Sequence, residues 1–176
     1  QIKENAIQLI QSLKNMNKKV TMVTGDNQAV AEEVSALLGI DHIYHQQMPE
    51  DKARLVQGFA QTEKVVFIGD GVNDAPVLSL ATLGVAMGGL GSDAAIEAAD
   101  AVIMNDDPLQ LIKAYQISKK TINIVTQNII FALGIKGLIL ILGALGYANM
   151  WLAIFADVGV SLLAVMNAMR IFKHKK

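Results

Sequence analysis

KVVFIGDGVNDAP, residues 64–76, joins a short apolar run to a glycine-bounded loop that carries two carboxylates and an amide. Lys64, Val65, Val66, Phe67 and Ile68 have the length and apolar continuity of a strand in a parallel sheet covered on both faces. Asp70 then stands at the carboxyl end of that strand, where open α/β sheets bind ligands. Gly69 and Gly71 let the backbone turn sharply and approach an anion, while Asn73 and Asp74 add an amide and a second carboxylate. Mg²⁺ takes one or two protein carboxylates and fills its remaining positions with water and phosphate oxygens. Glycine, asparagine and aspartate are also ordinary turn residues, and a lone Asp-Gly would be read that way. Asp70 and Asp74 together favour a Mg²⁺ and phosphate site.

Outward from this loop, residues 1–117 alternate helix and strand. Ile2, Ala6, Ile7, Ile10 and Leu13 recur at helical spacing. A strand is predicted at Val20, Thr21, Met22 and Val23, ending in Thr24-Gly25-Asp26-Asn27. A helix from Ala29 to Leu38 stops at Gly39, and Pro49-Glu50-Asp51-Lys52 opens another that runs to about Ala60, since proline and acidic residues suit the unpaired N–H groups of a first turn. After the Asp70 loop come a small helix from about Ala75, a strand at Gly84 to Met87, a helix from Ser92 to Ala98 and a strand at Ala101 to Met104. Strand then helix, repeated, predicts an α/β fold with a doubly wound parallel sheet. Thr24, Lys52 and Asp70 each follow or flank a strand end and are expected to converge on one phosphate: a hydroxyl, a positive charge and a metal ligand. His42 and His45 read as solvated loop residues, and Asp106 and Asp107 before Pro108 as a helix start.

The rest of the chain has a different character. Of 176 residues, 52% are hydrophobic and 18% charged, and the apolar excess lies after residue 121. A net charge of −1 gives no field that suggests nucleic acid. No cysteine is present, so disulfides and thiolate metal sites are excluded within these residues. Gln1-Ile2-Lys3-Glu4 is neither a signal peptide nor an initiator, and it reads as a cut inside a longer protein. Lys113, Lys119 and Lys120 precede the apolar tract; Arg170, Lys173, Lys175 and Lys176 follow it. Gly143, Gly146, Tyr147 and Asn149 read as a turn within it, giving two spans of about 124–145 and 150–171, each roughly 30 Å of helix. The hairpin puts both basic clusters on one side, which the positive-inside tendency makes cytoplasmic. A single span ranks second and a soluble hairpin third. Lys136 and Asp157 then lie at similar depths, roughly 12 to 15 Å in, where isolated charges are costly and pair or mark an ion path.

The motifs TGDN at 24–27, PEDK at 49–52 and GDGVNDAP at 69–76 together resemble the carboxyl-terminal part of a P-type ATPase, a branch of the haloacid dehalogenase-like superfamily. They lie within the first two-thirds of the chain. The resemblance implies that Thr24 (with Gly25 and Asp26 of its motif) and Lys52 contact the phosphoryl group. By the same resemblance Asp70 helps hold Mg²⁺, and Asn73 and Asp74 complete the site. The family's phosphorylated aspartate, in Asp-Lys-Thr-Gly, has no match in these residues. Its strand and the ATP-binding domain are thus expected upstream, leaving an incomplete sheet in residues 1–117 and no ATP hydrolysis by the fragment alone. The last two membrane helices fall in 118–176.

The tail resembles the zinc, cadmium and lead exporters within the heavy-metal subclass, which carry a lysine in the penultimate helix and Asp-x-Gly in the last; Lys136, Asp157 and Gly159 match. By this resemblance Asp157 binds the transported Zn²⁺, Cd²⁺ or Pb²⁺ and Lys136 serves as its counter-ion, in a bacterial-type plasma membrane. Copper exporters place Tyr and Asn in the first helix and Met and Ser in the second. Met166 and Ser161 are present here, but the Tyr-Asn pair is absent and Asp157 has no counterpart in that pattern. A carboxylate also suits divalent zinc better than Cu(I). Three alternatives stay open: a copper exporter, a non-catalytic membrane fragment that assembles with a pump, and a soluble-type phosphatase of the same superfamily.

Overall fold

The computed structural model describes residues 2–69, 74–88, 93–105, 107–147 and 149–174. By its internal contacts the chain divides into two units, 1–112 and 113–176.

The first unit runs α1 (Ala6–Asn15), β1 (Thr21–Val23), α2 (Gln28–Leu38), β2 (His42–Tyr44), α3 (Pro49–Thr62), β3 (Val66–Gly69), α4 (Ala75–Leu80), β4 (Leu83–Met87), α5 (Asp93–Ala98) and β5 (Ala101–Ile103). Local chemistry sets several of these boundaries. The Asn27 side chain caps α2 by accepting the Val30 N–H at 3.0 Å, and Gly39, at φ 70°, ends the helix in the left-handed conformation that glycine adopts without strain. Pro49, Glu50 and Asp51 occupy the first turn of α3. A hydrogen bond from Lys14 to Asp41, 2.8 Å long and reinforced by the lysine's charge, holds the Asp41 carboxyl below its ordinary range.

All strand pairs are parallel. Thr21 lies opposite His42 in β1–β2; Ile68 lies opposite Val85, and Ala86 opposite Val102, in β3–β4–β5. These are two separate sheets, and among the described residues no ladder joins them, so one edge of β1 and one of β3 lack a strand partner. Val66 and Ile68 of β3 remain exposed. His42 is a correction to the sequence reading: it opens β2 instead of lying in a loop.

The core of this unit is Leu78, Ala86 and Ala95, with Phe67, Ala98, Ala99 and Val102 packed against it. Gly84 sits where α4 crosses β4. Its N–H donates to Asp100 Oδ2 at 2.8 Å and its carbonyl accepts the Asp100 N–H at 2.9 Å, while a Cβ there would run into the Leu78 carbonyl oxygen. Backbone on both sides leaves little room to relax. Gly84→Ala is therefore expected to destabilise the fold by about 1–3 kcal/mol, read as a lower melting temperature.

The second unit is a helical hairpin. α6 (Gln110–Ala144) is a continuous helix of 35 residues, beginning well before the span predicted from about residue 124. Tyr147 N–H bonds to the Leu142 carbonyl at 2.8 Å and Gly146 takes φ 80°, closing the helix into the turn. Asn149 then caps α7 (Met150–Ile154), accepting the Leu152 N–H at 3.0 Å. A π turn (Phe155–Gly159), α8 (Val160–Ala168) and a 3₁₀ segment (Met169–His174) complete the return.

Side-chain bonds fix the antiparallel register. Asn128 Nδ2 donates to the Ala164 carbonyl at 3.0 Å and Asn167 Nδ2 to Asn128 Oδ1 at 2.8 Å, while Arg170 donates to Asn167 Oδ1 within the return arm at 3.0 Å. Ile124, Ala156 and Val160 are buried. Gln110–Ala144 and Met150–Phe172 are each long and apolar enough to cross a membrane, and only 6% and 11% of their most apolar windows are buried. A soluble core helix of that composition would be mostly covered; these leave apolar surface outward.

Candidate functional site

Two constellations carry polar chemistry at the positions the sequence singled out. The first lies at the carboxyl ends of the strands. β1 ends at Val23, and the loop that follows is tied to the residues after β2: Thr24 N–H bonds to the Tyr44 carbonyl at 2.9 Å, Gln47 N–H to the Thr24 carbonyl at 3.0 Å, and Gln46 N–H to the Asp26 carbonyl at 2.8 Å. The Thr24 hydroxyl donates to Asp26 Oδ2 at 2.7 Å and accepts the Asp26 N–H at 3.1 Å. Asp26 thus orients the hydroxyl, a relation that the sequence did not reveal. Gly25 is exposed in the same turn.

Lys52, in the first turn of α3, reaches Asp74 at the start of α4: Nζ lies 3.0 Å from Oδ1, with the side chains only 18% and 14% exposed. The pair connects segments 22 positions apart. Lys52 and Asp74 were each expected in one site, but not as each other's partner. Gly69 explains how Asp74 fits, because a Cβ there would lie 2.9 Å from Asp74 Cβ, 3.0 Å from its Oδ2 and 3.1 Å from Phe67 Cε1. The end of β3 must be bare for the carboxylate to rest on it. Lys52 takes one carboxylate oxygen and the other faces the end of β3. Asp70, Gly71 and Asn73 lie outside the described residues.

The second constellation is in the hairpin. Lys136 Nζ on α6 lies 2.9 Å from Asp157 Oδ1 on the return helix. The structure therefore brings together the two charged residues of the apolar tract. Ser161 Oγ donates to the Asp157 carbonyl at 2.6 Å. Among the described residues no cluster of three or more histidines, cysteines or carboxylates forms a ready metal site.

Known proteins resemble the chain in sequence and in structure. Residues 1–82 match the family described as haloacid dehalogenase-like hydrolase. Over 99% of its length the chain is 51% identical to a cadmium, zinc and cobalt-transporting ATPase of Bacillus subtilis, covering 26% of that protein. It is 49% identical over 98% of its length to a zinc-transporting ATPase of Synechocystis, covering 24%. A crystal structure of a zinc-transporting PIB-type ATPase in an E2·Pi state superposes on 97% of the chain with a TM-score of 0.92 at 34% identity, covering 28% of that structure.

Over nearly its whole length the chain is similar to P-type ATPases.

Similarity covers both units, so the hairpin is part of the match together with the strand-bearing unit. The chain spans about a quarter of the length of these curated relatives.

Proposed function

We infer that this chain is part of an ATP-driven membrane pump that exports divalent heavy-metal ions, zinc, cadmium or lead, through an aspartyl-phosphate intermediate. One observation carries the reading: a single chain holds a mostly buried Lys52–Asp74 pair at parallel strand ends and a Lys136–Asp157 pair on an apolar hairpin. Phosphate chemistry and an ion path are the two parts a pump must couple.

In this reading residues 1–117 are part of the phosphorylation domain and 118–176 the last two transmembrane helices. The nucleophilic aspartate and the ATP-binding domain come from the rest of the pump, and the unpartnered edges of β1 and β3 receive the strand that carries the nucleophile. Thr24 and Lys52 bind the phosphoryl oxygens, with Gly25 and Asp26 shaping the Thr24 turn. Phosphoryl transfer depends mostly on positioning and electrostatics, and these groups supply both. The oxygen-only donors fit Mg²⁺: Lys52 holds one Asp74 oxygen and leaves the other beside the strand that leads into Asp70. Asp70 and Asp74 would hold the ion, with Asn73 beside them, and the bound ion would offset negative charge on the transferring group.

Asp157 binds the exported cation and Lys136 takes its place when the cation leaves. The surrounding medium is a lipid bilayer, with the phosphorylation domain and the carboxyl terminus cytoplasmic. The test is uptake of radioactive zinc, cadmium and lead by inside-out vesicles bearing the full-length protein. ATP-dependent uptake with an acid-stable, hydroxylamine-labile phosphoprotein is expected. If none of the three metals stimulates ATP hydrolysis, the reading is wrong.

A further inference from the structure

The return helix changes its winding at Asp157. Phe155–Gly159 form a π turn, closed by the Val160 N–H bonding to the Phe155 carbonyl five residues back. Such turns are rare and recur at functional positions, because they insert one extra residue into the helix and re-aim the side chains on either side.

Here the cause is local. Gly159 has ordinary helical backbone angles, φ −64° and ψ −45°, so the backbone does not call for glycine. The space does. A Cβ at Gly159 would lie 2.7 Å from Phe155 Cδ2 and 2.9 Å from Cε2, so the aromatic ring fills the volume that any other side chain would need. Within the turn, the Asp157 carbonyl accepts the Ser161 hydroxyl at 2.6 Å. Ala156 and Val160 are 7% and 2% exposed and hold the turn on its buried side, while the Asp157 carboxylate meets Lys136 at 2.9 Å.

We propose that Gly159 is a positioning residue for the exported cation: its missing side chain leaves room for Phe155 against the wide turn, and the wide turn aims the Asp157 carboxylate. Restoring a regular α-turn would remove one residue of offset and rotate Asp157 by about 100° relative to α8. The carboxylate would then face away from Lys136 and from a cation bound in its place. Ser161 supports the same geometry by occupying a carbonyl of the turn. This rests on reading Asp157 as the cation's ligand.

The test uses the full-length pump in vesicles, with zinc-stimulated ATP turnover as the readout and Asp157→Ala as a parallel control. Gly159→Ala is expected to raise the zinc concentration for half-maximal turnover about tenfold while turnover at saturating zinc stays within about twofold, the signature of weakened binding. Adding Phe155→Leu to Gly159→Ala clears space for the new methyl and returns the zinc KM to within about threefold of the parent, a coupling that distant sites would not show. Ser161→Ala adds no bulk and is expected to raise the KM about threefold. An unchanged zinc KM in Gly159→Ala overturns the proposal, as does a Gly159→Ala defect that Phe155→Leu leaves in place. If Asp157→Ala retains zinc-stimulated turnover, the ligand assignment fails first. If it loses turnover while Gly159→Ala matches the parent, only the role of Gly159 fails.

Discussion

Lys52→Ala in the full-length protein is expected to lower ATP turnover by about 10²- to 10³-fold, the usual cost of removing one preorganised charge from a site where negative charge develops. Lys52 is only 18% exposed and is held in place by Asp74 at 3.0 Å, so its ammonium is placed before substrate arrives. The same substitution leaves Asp74 partly buried without its partner, which costs about 1–2 kcal/mol of stability. Two measurements separate these effects. A melting temperature lowered by a few degrees with turnover nearly intact would mean that the pair is structural and that Lys52 does not touch the phosphoryl group. Lys52→Arg is the sharper probe. It keeps the charge but replaces a compact ammonium with a planar fork, so recovery of stability without recovery of rate is expected.

The parallel α/β unit was readable because its strands end in chemically distinctive turns. Thr24-Gly25-Asp26-Asn27 marks the end of β1, and the loop after Ile68 marks the end of β3. β2 was not readable: His42, Ile43 and Tyr44 offer three residues, one of them half-buried between two exposed neighbours, and parallel pairing with β1 alone makes them a strand. Pairing across sequence is also why the Lys52–Asp74 contact was missed. Each residue suggested a phosphate site by its own motif, and nothing local says that two groups of one site neutralise each other. Gly69 carried a partial signal as a turn glycine, but its second role, giving Asp74 room, depends on the packing of α4.

In the hairpin, the Gly-rich turn and the two charges stood out against apolar surroundings, whereas the π turn did not. Phe155 and Gly159 are four residues apart, a spacing that ordinarily stacks two side chains on one helical face. That an aromatic ring there fills a glycine's empty side becomes visible only once the backbone is built. The early start of α6 was hidden for a different reason. Lys113, Lys119 and Lys120 interrupt the apolar pattern without interrupting the helix, because lysine is a good helix former on an exposed face.

Asp157→Ala is expected to abolish metal export, lowering uptake by about 10²-fold or more. Altering a group that merely supports a ligand costs 10- to 100-fold in metal affinity, so deleting the ligand itself costs at least the upper figure. Lys136→Ala should act in the opposite sense on binding. With Nζ at 2.9 Å from Asp157 Oδ1, Lys136 would compete with the cation for the same carboxylate, and in the proposed lipid bilayer that competition is strong. Its removal is expected to tighten zinc binding and slow release, so that turnover at saturating zinc falls while the zinc KM falls with it. Asp157→Asn separates charge from shape, since the amide keeps the volume and can still accept from Lys136 but does not offset a divalent cation. Equal loss in Asp157→Asn and Asp157→Ala assigns the effect to charge. Zinc uptake retained in Asp157→Ala would refute the ligand assignment, and a raised zinc KM in Lys136→Ala would show that the lysine helps to seat the cation instead of displacing it.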